Sequence, residues 1–247
     1  MQLRLASFVY NQRIISPHLS DAGHLHATSL IENQRMRLLS GLNELLFPPR
    51  CLGCGSLNEG LCHQCLLDWK ISYLQTRVSA ISVFSSILYT KTASNILLAA
   101  KENGIRNADD LLVEAMHHSL VCAIATCDIP PILIPIPSAP SAIRRRGRNF
   151  LLDIADRAGA LEDLPIHNLL RHNRKVQDQS LLDARARFEN LSGALNVVSH
   201  AGRGRDVILV DDLVTTGATL SEANRVLKIA GFAVVGAITA CVALPLR

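Results

Sequence analysis

Aromatic residues are scarce in this chain: Phe, Trp and Tyr make up 4% of its 247 residues. Between Arg144 and Lys175 the one aromatic is Phe150, which leaves little for a row of rings on which bases could stack. Long apolar runs are missing too. No stretch approaches the roughly 18 uninterrupted apolar residues of a transmembrane helix, so no membrane span is expected. Charge of one sign is not in large excess, since the formal net charge is only +4. The first residues lack the charged, apolar and small-residue order of a signal peptide. Seven cysteines is an odd number, and four fall in two Cys-x-x-Cys pairs, which argues against a disulfide framework and for metal binding in a reducing cytoplasm. What the chain does have is aliphatic residues. At 49% hydrophobic it can bury a substantial core, packed as α/β proteins pack.

The most informative stretch is Val207–Thr219, with the sequence Val-Ile-Leu-Val-Asp-Asp-Leu-Val-Thr-Thr-Gly-Ala-Thr. Val207–Val210 is a short β-branched run that reads as a strand buried on both faces. Asp211 and Asp212 follow it, then Thr215, Thr216, Gly217, Ala218 and Thr219, then a helical pattern over 220–231. A turn at a helix N-terminus aims backbone N–H groups and the positive end of the helix dipole at a phosphate. Gly217 lets the backbone come close, and the threonine hydroxyls add donors. The acids repel phosphate, so they suit sugar hydroxyls or a metal ion bridging to them. A ligand with a phosphate at one end and a vicinal diol one sugar away fits both halves. A buried strand ending in a capped helix, with Asp212 or Thr216 as the cap, would use some of these residues but not all thirteen in order.

The rest of the chain predicts alternating strands and helices. Residues 1–35 show no sustained period and read as a poorly ordered extension. Met36 opens an amphipathic helical pattern, and translation is expected to start there. Pro48 and Pro49 break that helix. Residues 69–77 read as a linker, 81–89 as a strand, 93–100 and 109–125 as helices, and 132–136 as a short apolar strand. A loop of small residues around Ser138 follows, with Arg144, Arg145, Arg146 and Arg148 behind it, a set suited to a polyanion because guanidinium forks grip phosphate oxygens. A helix over 150–160, a strand at 164–170 and a last strand-rich run over 232–244 complete the pattern. Residues 171–179 are polar and basic without periodicity. They read as a mobile loop able to close over a phosphorylated substrate, or as a solvated connector.

Cys51 and Cys54 are separated from Cys62 and Cys65 by the seven residues 55–61. Each pair can turn two thiolates towards one ion, and four thiolates suit a closed, structural, tetrahedral zinc site. His63, inside the second pair, reads as a bystander.

The stretch 207–219 resembles the phosphoribosyl-pyrophosphate signature of the type I phosphoribosyltransferases. Further pieces resemble the ComF family, also described as ComF/GntX-like phosphoribosyltransferases. They are Leu46–Cys54, Cys62–Cys65, Lys101 with Gly104, Pro135–Ser138, Arg146-Gly147 with Asn149, Gln179 with Leu182, Arg187 and Asn190, and Gly193-Ala194. That family joins a short four-cysteine finger of the double zinc ribbon type to a type I phosphoribosyltransferase domain. Three positions depart from its pattern: Glu102 stands where an aromatic is usual, and Arg148 and Phe150 replace an aromatic and a glutamine.

The resemblance implies a mostly parallel sheet flanked by helices with a small hood. The implied organisation is a helix plus zinc finger over 36–70 and a phosphoribosyltransferase-like domain over 78–247. It also implies cytoplasmic, magnesium-dependent binding of phosphoribosyl pyrophosphate. Asp211 and Asp212 would hold the ribose hydroxyls, residues 215–219 the 5-phosphate, and Ser138, Arg144, Arg146 and Lys101 the pyrophosphate side. A link to natural competence would bring single-stranded DNA and a DNA-uptake helicase as partners. Three functions stay open at this stage: a pentosyl transferase of unknown acceptor, a nucleobase-salvage phosphoribosyltransferase, and a non-catalytic module that senses the metabolite and binds single-stranded DNA.

Overall fold

The computed structural model describes residues 48–58, 60–173, 193–198 and 202–246. The expectations for residues 1–47 and for 174–192 lie outside the described residues. Residues 49–247 gather into one compact unit.

The centre is a five-stranded sheet built from β1 (Leu74–Val78), β2 (Ile81–Leu88), β3 (Ile132–Pro135), β6 (Asp206–Val214) and β7 (Ala233–Val242), in the order β1-β2-β7-β6-β3. β2, β7, β6 and β3 run parallel, and β1 alone is antiparallel. The mostly parallel sheet that the family resemblance implied is what forms. Val207, Ile208, Leu209 and Val210 are all fully buried, as a run without polar alternation requires. A small hairpin of β4 (Leu170–His172) and β5 (Leu195–Val197) lies outside this sheet.

Six helices occur among the described residues. α1 (His63–Asp68) belongs to the cysteine module. α2 (Lys91–Lys101) is capped by Thr90, whose side chain accepts from the Ala93 N–H. α3 (Arg106–Ile124) packs on β2 and β7, and α5 (Phe150–Ala160) packs on α3 and β3. α6 (Ala218–Ile229) packs on β5, β6 and β7. The remaining helix, α4 (Pro140–Arg146), is short.

Three local expectations change. The presumed linker 69–77 runs into β1, an edge strand whose polar residues alternate outward while Val78 is buried. Its composition hides it, because only one face packs and the turn to β2 is two residues long. The presumed loop behind Ser138 is largely the helix α4, with Pro140 opening its first turn and Gly147 closing it at φ 70°. Within 164–170 the sheet contact is a single bridge from Ile166 to Leu133, and the strand itself begins at Leu170.

Candidate functional site

The cysteine module comes first in the chain and is built by backbone turns. Cys51 N–H donates to Ser56 O at 2.8 Å and Gly55 N–H to Cys51 O at 2.9 Å, which folds the first pair into a knuckle. Cys62 stands at the N-terminus of α1, so that Cys65 lies one turn into the helix. The four Sγ atoms of Cys51, Cys54, Cys62 and Cys65 lie within 4.8 Å of one another, and Cys54 and Cys62 are 3.7 Å apart. A tetrahedron of Zn–S bonds of about 2.3 Å has S···S edges of about 3.8 Å, so this set fits zinc. Burial opposes ionisation of Cys51, but backbone N–H groups of Cys62, Cys54 and Gly53 bring its pKa down to about 6. Burial pushes the Cys65 thiol up to about 12, a cost that a bound cation would offset. His63 is exposed and outside the cluster.

The module docks on the first turns of α2. Asn95 Nδ2 donates to Gly53 O, and Thr92 Oγ1 donates to Asp68 Oδ2 at 3.0 Å. Gly53 is required by the fit, since a Cβ there would lie 2.6 Å from Cys65 Sγ. The other end of α2 reaches the second site, so one rigid helix joins the two.

That second site is a cleft of about 570 Å³ at the carboxyl ends of β3 and β6. β3 pairs with β6 only as far as Val210, which frees the β6 edge beside Asp211 and Asp212. Both acids line the cleft. Consecutive strand residues face opposite sides, and only Asp212 meets Lys101, whose Nζ donates to Oδ2 at 2.5 Å. Burial works to raise the Asp212 pKa, but the Lys101 ammonium outweighs it and holds the carboxyl below its ordinary value. For Lys101 burial works downward, and Asp212 reverses it and raises the pKa. Asp211 goes the other way: burial, reinforced by the neighbouring Asp212 charge, raises it well above its ordinary value.

Past β6 the chain turns through residues 215–219 into α6, all lining the cleft. Thr216 Oγ1 accepts from the Ala218 N–H at 3.2 Å, so this threonine braces the turn. Gly217 has φ 75°, and a Cβ on it would sit 2.5 Å from both γ-methyls of Val78. The close approach that the sequence reading assigned to a ligand is therefore made first to a side chain of β1. Ala218 is buried against Ala194.

Ser138 lies across the cleft, just past β3, with α4 behind it. Arg145 and Arg146 line the cleft together with Ser141 and Ala142, one turn earlier on the same helix faces. Arg144 is exposed and lies outside the lining, as does Pro140 one turn before it. The expectation for the pyrophosphate side named Arg144 with Arg146, but the helix turns Arg145, also in the polyanion set, to the cleft in place of Arg144. Arg145 and Arg146 both bond Glu102, the residue that follows α2. Arg148 does not face the cleft. It forks onto Asp109 at 2.6 and 2.7 Å, donates to Ala100 O at 2.7 Å, and lies over the Phe150 ring. The two unusual residues at 102 and 148 are thus both ion-paired, Glu102 with Arg145 and Arg146, and Arg148 with Asp109 of α3. His172, within the polar stretch that gave no signal of its own, also lines the cleft. Its Nε2 donates to Pro137 O at 2.9 Å, which ties the β4–β5 hairpin to the Ser138 loop.

Residues 142–244 match the phosphoribosyl transferase domain family. Over 103 residues the chain is 32% identical to Competence protein F of Haemophilus influenzae, covering 40% of this chain and 45% of that protein. Among solved structures, an adenine phosphoribosyltransferase from Leishmania donovani aligns over 68% of this chain and 86% of its own, at 11% identity and a TM-score of 0.37. The allosteric regulatory enzyme of purine biosynthesis aligns over 47% of this chain and 23% of its own, at 19% identity and a TM-score of 0.31. No described helix is long and apolar enough to cross a membrane. Residues 142–244, which include Arg145, Arg146, the paired acids and the glycine turn, match the phosphoribosyl transferase domain, and they are preceded in this chain by a four-cysteine cluster that fits a zinc finger.

Proposed function

We propose that the cleft binds phosphoribosyl pyrophosphate together with magnesium, and that the protein is a pentosyl transferase of the ComF type. The observation that carries this is the meeting of three unlike groups around one cleft. Two acids stand at the end of β6, a helix N-terminal turn follows them, and two arginines face both from α4. The turn 215–219 takes the 5-phosphate, where the α6 dipole and backbone N–H groups favour an anion. Asp211 and Asp212 take the ribose hydroxyls. Ser138, Arg145 and Arg146 take the pyrophosphate, with Lys101 holding the Asp212 charge in place. The carboxylate oxygens of Asp211 and Asp212 are hard donors of the kind magnesium accepts while it keeps water and phosphate oxygens, and it would supply charge neutralisation at the leaving group. A nucleophile forms its bond to C1 as the C1–O bond breaks, and that electron pair leaves with pyrophosphate. The arginines stabilise the charge gathering there.

The similarity to Competence protein F supports a link to competence; a place in DNA uptake, with single-stranded DNA or an uptake helicase as partner in the cytoplasm, is the further part of this proposal. Asp211→Asn combined with Asp212→Asn is expected to abolish calorimetric binding of phosphoribosyl pyrophosphate with magnesium. Unchanged affinity refutes the assignment. Pyrophosphate release is then measured over nucleobases, amines and single-stranded DNA: turnover with one of them supports a transferase, and none at all favours a binding module.

A further inference from the structure

Glu102 places a carboxylate on the cleft's own cations. Its Oε1 accepts from Arg146 Nη2 at 2.6 Å and from Arg146 Nε at 3.2 Å. Its Oε2 accepts from Arg145 Nη2 at 3.0 Å. The Arg146 side chain is only 10% exposed, so water does little to balance its charge and Glu102 does most of it. The preceding residue, Lys101, is taken by Asp212. The end of α2 therefore sends a cation to β6 and an anion to α4, and it joins the two walls of the cleft through charge.

Guanidinium groups receive a carboxylate and a phosphate by the same forked geometry. A phosphate arriving at the Arg146 nitrogens must displace Glu102, and the displaced carboxylate stays nearby as a like charge. We infer that Glu102 is an internal anion that occupies the polyphosphate-binding arginines and sets the affinity of the cleft for the pyrophosphate end of its ligand. This rests on the reading of the cleft given above. The arginines, Arg146 first, hold the Glu102 pKa at about 2, so its competition persists at neutral pH.

The test is calorimetry on the full chain and on Glu102→Gln, with magnesium present, using phosphoribosyl pyrophosphate, inorganic pyrophosphate and ribose 5-phosphate. Removing one negative charge beside the two arginines is expected to tighten the first two ligands about tenfold. Ribose 5-phosphate, which carries no pyrophosphate, is expected to bind as before. A merely structural ion pair would lower the melting temperature and leave the ligand preference alone. If the unaltered protein binds phosphoribosyl pyrophosphate while Glu102→Gln binds it equally or more weakly, the inference fails and the reading of the cleft stands. If the unaltered protein binds neither pyrophosphate ligand, both fail. Should Glu102→Gln not fold, Glu102→Asp keeps the charge but is one methylene too short to reach both guanidiniums. It is then expected to tighten pyrophosphate binding about threefold, and no gain overturns the inference.

Discussion

Replacing Gly217 by alanine probes the turn that leads into α6, and its cost can be worked out from two separable terms. At φ 75° an alanine pays the left-handed backbone penalty, about 1 kcal/mol. Its Cβ would also stand 2.5 Å from both Val78 γ-methyls and 3.1 Å from the Val78 Cβ. Val78 is buried, at 5% exposed, so overpacking adds about 1–3 kcal/mol. The sum is about 2–4 kcal/mol, read from urea denaturation followed by circular dichroism. Gly147→Ala supplies the control, because its φ of 70° is similar and nothing lies within 4 Å of the added Cβ. It should lose only the backbone term of about 1 kcal/mol. Val78→Ala alone costs about 2 kcal/mol of burial, but combined with Gly217→Ala it removes the obstructing methyls. The double variant should therefore be about 1–3 kcal/mol more stable than the sum of the two single losses. Additivity within about 0.5 kcal/mol would refute the claim that Val78 is the wall against which this turn is built.

Arg148→Lys is expected to destabilise the chain by about 1.5–3 kcal/mol, since one ammonium cannot serve both Asp109 oxygens and the Ala100 carbonyl, and an unshifted urea midpoint would refute that role. Metal analysis of the purified chain should find zinc that Cys54→Ser diminishes, and chelation should lower the melting temperature because the cysteine module is docked on α2 through Gly53 and Asp68. A zinc-free protein with an unchanged melting temperature would remove the structural role of the metal.

Local sequence was enough wherever a feature depends on neighbours in the chain. The run 207–210 reads as a doubly buried strand because it has no polar alternation, and it is one. The helix over 150–160 spans the residues expected from its apolar spacing. Two Cys-x-x-Cys pairs at short separation bring four sulfurs together with little help from the rest of the molecule. Even so, β1 escaped notice, because a one-faced edge strand has too few buried residues to show a period.

Tertiary structure decided the charge partners and the steric ones. Lys101 and Asp212 are far apart in sequence, as are Glu102 and the two arginines, and no spacing rule reaches across a sheet. Which arginine faces the cleft depended on Pro140–Arg146 becoming a helix, since rotation of about 100° per residue then separates Arg144 from Arg145 and Arg146. Gly217 was legible as a glycine the turn needs, but the partner that excludes a side chain there is Val78, from another strand. Sequence by itself determined the classes of group at the site, because strand, acids, turn and helix are consecutive. The pairing of those groups, and hence which cations are already occupied by Glu102 and Asp212, follows from packing α2, α4 and β6 around one cleft.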